Sequence, residues 1–264
     1  MRRKDRFGTG LFVMLLPLLA GGACDGNGGD RESTAGSEQA PARGGPAAGD
    51  DYADEREHMV RDTIASRDVT DERVLRAMRT VPRHEFVPEG QRGDAYADHP
   101  LPIGHEQTIS QPYIVAIMSQ LAQVEPGDTV LEVGTGSGYQ AAVLAEMGVE
   151  VYSIEIVEPL ARSAQQTLSR LGYRNVHVRA GDGYAGWPEH APFDAIVITA
   201  APPRVPEPLE EQLKVGGRMV VPVGEDGMQN LMVLTRTADG FEQSNVIPVR
   251  FVPMTGEAQR PENR

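Results

Sequence analysis

Hydrophobic positions in this chain follow two periods that alternate along its middle. Short apolar or alternating runs, the mark of strands, stand at residues 130–133 (VLEV), 149–155 (VEVYSIE), 175–179 (NVHVR), 193–199 (FDAIVIT) and 216–223 (GGRMVVPV). Helical spacing fills the intervals at 138–147, 158–171 and 206–213. The run at 193–199 is nearly all apolar, as in a strand covered on both faces. Strands and helices taking turns in this way predict a doubly wound, Rossmann-like α/β sheet. Residues 229–236 and 245–252, with a turn at 238–240, add two more strands and bring the expected count to about seven. Upstream, 54–66 reads as a helix, and Thr70 is placed to cap a second one that buries Val74, Leu75 and Met78. Ile114, Ile117, Met118 and Leu121 define a third helix, with Pro112 in its first turn and Ser110 or Gln111 as its cap. On local pattern alone, Ser110 reads as an N-cap serine.

The first fifty residues break this pattern. Arg2, Arg3, Lys4 and Arg6 form a basic start, residues 11–20 (LFVMLLPLLA) an apolar core, and Gly21, Gly22 and Ala23 a small-residue stretch before Cys24, the only cysteine. An apolar core of this length is short for a bilayer span, and the order of parts is that of a bacterial export signal. A cysteine directly after small residues also resembles a lipoprotein processing site, although Gly21 stands where that pattern usually has leucine. Residues 25–50, rich in Gly, Ala, Asp, Ser and Pro, have the composition of a disordered tether. The expected organisation is a signal at 1–24, a tether at 25–50 and one domain at 51–264. An exported, lipid-anchored protein is expected, with plain secretion as the alternative. Translation from Met59 would instead give a cytoplasmic one.

Charge narrows the partners. The chain carries a net charge of −13, and because six basic and six acidic residues balance within 1–50, the excess lies in the domain. Lysine occurs only at Lys4 and Lys214, and no basic stripe is present, so nucleic-acid binding is excluded as an expectation. Such acidity weakly repels acidic substrates at long range, so a groove for one has to be less negative than the average surface. A lone cysteine among scattered histidines gives no metal-ligand spacing. Neither a G-x-S-x-G elbow nor a phosphate-binding G-K-[ST] loop is present.

The candidate chemistry begins at residues 130–138 (VLEVGTGSG), where a strand runs into Glu132 and then Gly134, Gly136 and Gly138. Glycines here let the backbone turn sharply and approach a ligand. A dinucleotide fingerprint would put its third glycine where Tyr139 stands. The spacing instead looks like the nucleotide loop of S-adenosylmethionine-dependent methyltransferases. Glu155 ends the next strand, where a carboxylate can accept from both ribose hydroxyls. Asp182, followed by Gly183, lies on a Gly-Asp-Gly turn, where it could meet an adenine amino group or cap the turn.

Beyond the loop, residues 81–88 (VPRHEFVP), 101–104 (LPIG), 107–112 (QTISQP), 181–183 (GDG) and 250–255 (RFVPMT) together resemble the protein-L-isoaspartate O-methyltransferases, over roughly residues 59–257. The TISQP segment is the specific part, since many methyltransferases share the glycine loop. The resemblance implies that Ser110 is the active-site residue, and that Glu132, Gly134, Gly136, Gly138, Glu155, Asp182 and Gly183 hold S-adenosylmethionine. It further implies methylation of isoaspartyl residues in damaged proteins, with the ester collapsing to a succinimide whose hydrolysis restores some aspartate. His84 and His105 lie within the matching stretches as surface or packing histidines. Two other readings stand beside this one: a methyltransferase for another carboxylate or small-molecule acceptor, and a surface protein that binds the cofactor without turnover. Intact residues 108–112 argue against both.

Overall fold

The computed structural model describes residues 51–225 and 227–263. The expected signal and tether lie outside the described residues.

The N-terminal part is helical. Helix α1 (Ala53–His58) continues into a π-helical turn at Met59–Ile64, and α2 spans Glu72–Thr80. The cap of α2 is Asp71 rather than Thr70, its carboxylate accepting from the Arg73 amide at 2.8 Å. A feature absent from the sequence pattern follows, a small antiparallel hairpin of β1 (Leu101–Gly104) and β2 (Gln107–Ile109). His105 and Glu106 turn it, with φ of +53° and +58°. Two left-handed residues suit a tight hairpin, but the usual Asn-Gly signature is missing. Helix α3 (Pro112–Ala122) follows, with Pro112 at its start.

The alternating region then builds the sheet: β3 (Thr129–Val133), α4 (Tyr139–Glu146), β4 (Glu150–Glu155), α5 (Glu158–Arg170), β5 (Val176–Ala180), β6 (Phe193–Ile198), α6 (Glu207–Glu211), β7 (Leu213–Val223), β8 (Gln229–Thr237) and β9 (Gly240–Val249). Seven strands form one sheet in the order β5-β4-β3-β6-β7-β8-β9. The first five are parallel, and β8 and β9 join as antiparallel neighbours. The last strand starts five residues before the expected 245 and stops at Val249, so residues 250–255 leave the sheet. Side chains of β6 are buried on both faces, with Ala195, Ile196, Val197 and Ile198 all at 0 % exposure. That burial explains the apolar run. The chain reverses direction across the sheet between β3 and β6, and in open α/β sheets such a switch point opens a crevice at the strands' C-terminal ends.

Candidate functional site

A cleft occupies that crevice. Its floor is the glycine loop after β3, in which Gly134, Gly136 and Gly138 all take positive φ, at +102°, +53° and +89°. The requirement is steric at Gly134, where a Cβ would lie 2.4 Å from Thr199 Oγ1. Thr199, just past β6, donates to the carbonyl of Gly134 at 2.5 Å and so ties the loop to the neighbouring strand. Gly183 allows a second close approach, since a Cβ there would meet Val133 Cγ1 at 2.4 Å.

Glu155 emerges from β4 facing the loop. Its Oε2 accepts the Gly136 amide at 2.7 Å and its Oε1 the Val157 amide at 2.8 Å. Each oxygen keeps a further lone-pair direction for a ligand hydroxyl. Asp182 does cap its own turn, accepting from the Tyr184 amide at 2.9 Å, and its other oxygen takes the Glu257 amide at 2.8 Å. This second bond ties the C-terminal segment to the Gly-Asp-Gly turn. Residues 252–255 line the cleft, anchored where the Ala201 amide donates to the Val252 carbonyl and the Met254 amide to Ala201, each at 2.8 Å.

Opposite stands the segment linking β2 to α3. Ser110 lines the cleft, and its hydroxyl has no hydrogen-bond partner among the described residues. Nor does it cap α3. The N-cap position belongs to Gln111, without a side-chain cap bond, and Asp98 accepts the Tyr113 amide from outside the helix at 3.1 Å. The N-cap reading of Ser110 is therefore corrected: the capping role is filled by a residue twelve positions upstream, leaving the serine hydroxyl free.

Ser110, Gly134, Gly136, Glu155, Asp182 and Gly183 thus share one cleft. Gly138 does not line it, and packs instead on α5, where a Cβ would meet Leu168 Cδ1 at 3.1 Å. Glu132 does not line it either. Fully buried beneath the loop, it accepts from Ser153 Oγ, which in turn pairs with Thr135 Oγ1 at 2.5 Å. Its Oε1 has no partner among the described residues. Burial pushes the Glu132 carboxyl up to about 8, with the nearby Glu155 charge adding to the effect. Instead of contacting a ligand, this acid supports the loop from below through Ser153 and Thr135. Desolvation at the centre of the sheet decides its role, and that burial cannot be read from a short motif.

Several cleft residues carry no motif signal. Thr199 and Ala200 follow β6, Ile156 offers an apolar face 42 % exposed, and Gln140 donates to Ser119 Oγ at 2.8 Å from the cleft wall. A general rule would have found the first two, because ligands in such sheets lie beyond the strand ends flanking the switch point. The two matching-stretch histidines lie elsewhere. His84 pairs through Nδ1 with the Tyr96 hydroxyl at 2.8 Å and stacks on Tyr52 at 4.3 Å, while His105 is exposed in the hairpin turn.

The sequence profile of the protein-L-isoaspartate(D-aspartate) O-methyltransferase (PCMT) family matches residues 54–259. The chain belongs to this family. A protein-L-isoaspartate O-methyltransferase of a Synechococcus species is 59 % identical over 216 residues, covering 79 % of this chain and 88 % of that one. A second relative, protein-L-isoaspartate O-methyltransferase 2 of Syntrophobacter fumaroxidans, is 48 % identical over 267 residues, covering 97 % of this chain and 99 % of its own. Among solved structures, a putative protein-L-isoaspartate O-methyltransferase from Plasmodium falciparum, in complex with S-adenosyl-L-homocysteine, superposes with a TM-score of 0.66. It is 25 % identical, and the match covers 76 % of this chain and 98 % of that one.

The cleft's chemistry fits the cofactor of this family. Glu155 would offer its carboxylate to a ribose diol, Ile156 an apolar face to a base, and the glycine loop an approach without side chains.

Proposed function

We propose that this chain is a protein-repair methyltransferase that moves a methyl group from S-adenosylmethionine to the free carboxylate of L-isoaspartyl residues. One observation carries the reading: the glycine loop and Glu155 face, across a single cleft, a Ser110 hydroxyl with no hydrogen-bond partner among the described residues. Bound on the loop, S-adenosylmethionine supplies an electrophilic methyl group. The acceptor carboxylate has an ordinary pKa of about 4, is ionised at neutral pH and requires no general base. The task left to the protein is orientation. Ser110 can donate one hydrogen bond to the carboxylate or accept one from the neighbouring amide. Burial raises the Glu132 carboxyl and favours its neutral form, which lessens the negative charge beneath the loop. That arrangement supports local relief from an acidic overall surface.

The purified protein should methylate an isoaspartyl peptide and leave the matching aspartyl peptide untouched. Isoaspartate lengthens the main chain by one methylene and presents what is effectively the α-carboxyl, so a fitted cleft discriminates by shape. Equal transfer to both peptides in a radiolabelled-methyl assay, or none to either, defeats the reading.

We further propose that the protein is exported and tethered through Cys24. Support comes from the basic, apolar and small-residue regions standing in working order ahead of a sole cysteine. The Syntrophobacter relative, matched over 97 % of this chain, aligns through most of the same extension. Fractionation of native cells with intact-mass spectrometry should find an acylated form in the membrane. A soluble species starting at Met59, without that form, overturns the proposal.

A further inference from the structure

The segment bearing Ser110 is gripped at two points by side chains that do not themselves line the cleft. Arg83 lies at 0 % exposure, an unusual place for a guanidinium. Its Nη2 donates to the Ser110 carbonyl at 2.8 Å and its Nε to the Ala95 carbonyl at 2.7 Å. The guanidinium carbon sits 4.7 Å from the centre of the Tyr139 ring, on the helix that opens directly after the glycine loop. Asp98 holds the next residues. One oxygen accepts the Tyr113 amide at 3.1 Å, and the other accepts Gln111 Nε2 at 2.7 Å and an Arg67 guanidinium nitrogen at 2.9 Å. Between these anchors the Ser110 hydroxyl has no hydrogen-bond partner among the described residues. A buried charge such as Arg83 is expensive to keep unless it fixes something, and it converges with the partly buried Asp98 on one short stretch of backbone.

We propose that Arg83 and Asp98 are positioning residues that together set the Ser110 hydroxyl over the cleft. The proposal rests on the methyltransferase reading. Neither residue touches the reacting groups. Arg83 fixes the serine's own carbonyl, and Asp98 fixes the start of α3, so the two bonds on either side of Ser110 are held before substrate arrives. The Arg83–Tyr139 contact registers this segment against the element that carries the glycine loop.

The test uses Asp98→Asn and Arg83→Lys in the full chain, alone and combined with Ser110→Ala. In the parent background each should lower kcat for an isoaspartyl peptide at least tenfold, with S-adenosylhomocysteine affinity by calorimetry within threefold. In the Ser110→Ala background the same changes should lower kcat less than threefold, because the hydroxyl they position is gone. Amide hydrogen exchange at residues 110–113 should quicken at least tenfold in both variants. Equal losses in both backgrounds, or a loss of cofactor affinity in step with kcat, would overturn the proposal and leave only a structural role. Should Arg83→Lys fail to fold, the rim substitution Asp98→Asn decides alone. If the parent shows no isoaspartyl transfer, the methylation reading falls separately, and unchanged exchange in Asp98→Asn then refutes the clamp while quickened exchange upholds it.

Discussion

Glu155→Ala should weaken S-adenosylhomocysteine binding by about a hundredfold or more, the largest effect expected on the cofactor side. The carboxylate makes two bonds that order the binding surface, to the Gly136 amide at 2.7 Å and the Val157 amide at 2.8 Å. A hydrogen bond to a charged group contributes roughly 1.5–3 kcal/mol, about ten- to 150-fold in affinity. Alanine removes the carboxylate expected to hold the ribose and also leaves two amides beside the cleft without partners. The loop should therefore lose its shape as well as its ligand contact. Calorimetry measures the affinity, and a thermal melt checks that the domain still folds. An affinity within threefold of the parent, in a folded variant, would remove Glu155 from the cofactor site.

Ser110→Ala should act on the opposite side of the reaction, lowering kcat by roughly ten- to 150-fold while cofactor affinity stays within a few-fold. Its hydroxyl has no partner inside the described protein, so its removal breaks no existing bond. Stability should thus change by no more than about 0.5 kcal/mol, as for substitutions that disturb no packing or bonding. A true N-cap serine would cost about 0.5–2 kcal/mol on the same change. Denaturant titration and steady-state kinetics on one preparation separate the two roles. Undiminished turnover with a clear loss of stability would restore the N-cap reading.

The sequence pattern was a good guide wherever local chemistry and final position agree. Residues 193–199 had to be a central strand, because only a strand covered on both faces uses so many apolar side chains in succession, and β6 is one. The glycine loop was legible for a similar reason, since glycines at alternate positions after a strand have few other uses. Reading failed where adjacent residues offered equal signals, where a signature was missing, or where the partner lies far along the chain. Thr70 was expected to cap α2, yet Asp71, one position later, does so. The β1–β2 hairpin escaped notice because its turn residues, His105 and Glu106, have no turn signature. Residues 250–255 were read partly as strand, although the bonds to Ala201 draw the segment away from the sheet and onto the cleft.

By itself, then, the sequence determined the alternation of strands and helices in the main sheet and the place of the cofactor loop, while Ser110 was singled out by the resemblance of residues 107–112 to a known family. The first two depend on periodicity or on a contiguous motif, which local sterics and burial impose on neighbouring residues. Only the tertiary structure decided which acids face the cleft. Glu132 and Glu155 both stand at or near the end of a strand, but one is buried under the loop with its carboxyl raised to about 8 and the other opens onto the site. Whether an acid is solvated, paired or desolvated depends on what packs over it from distant parts of the chain. The Ser110 hydroxyl follows the same rule, since Asp98, from outside the helix, accepts the Tyr113 amide that a capping serine would take.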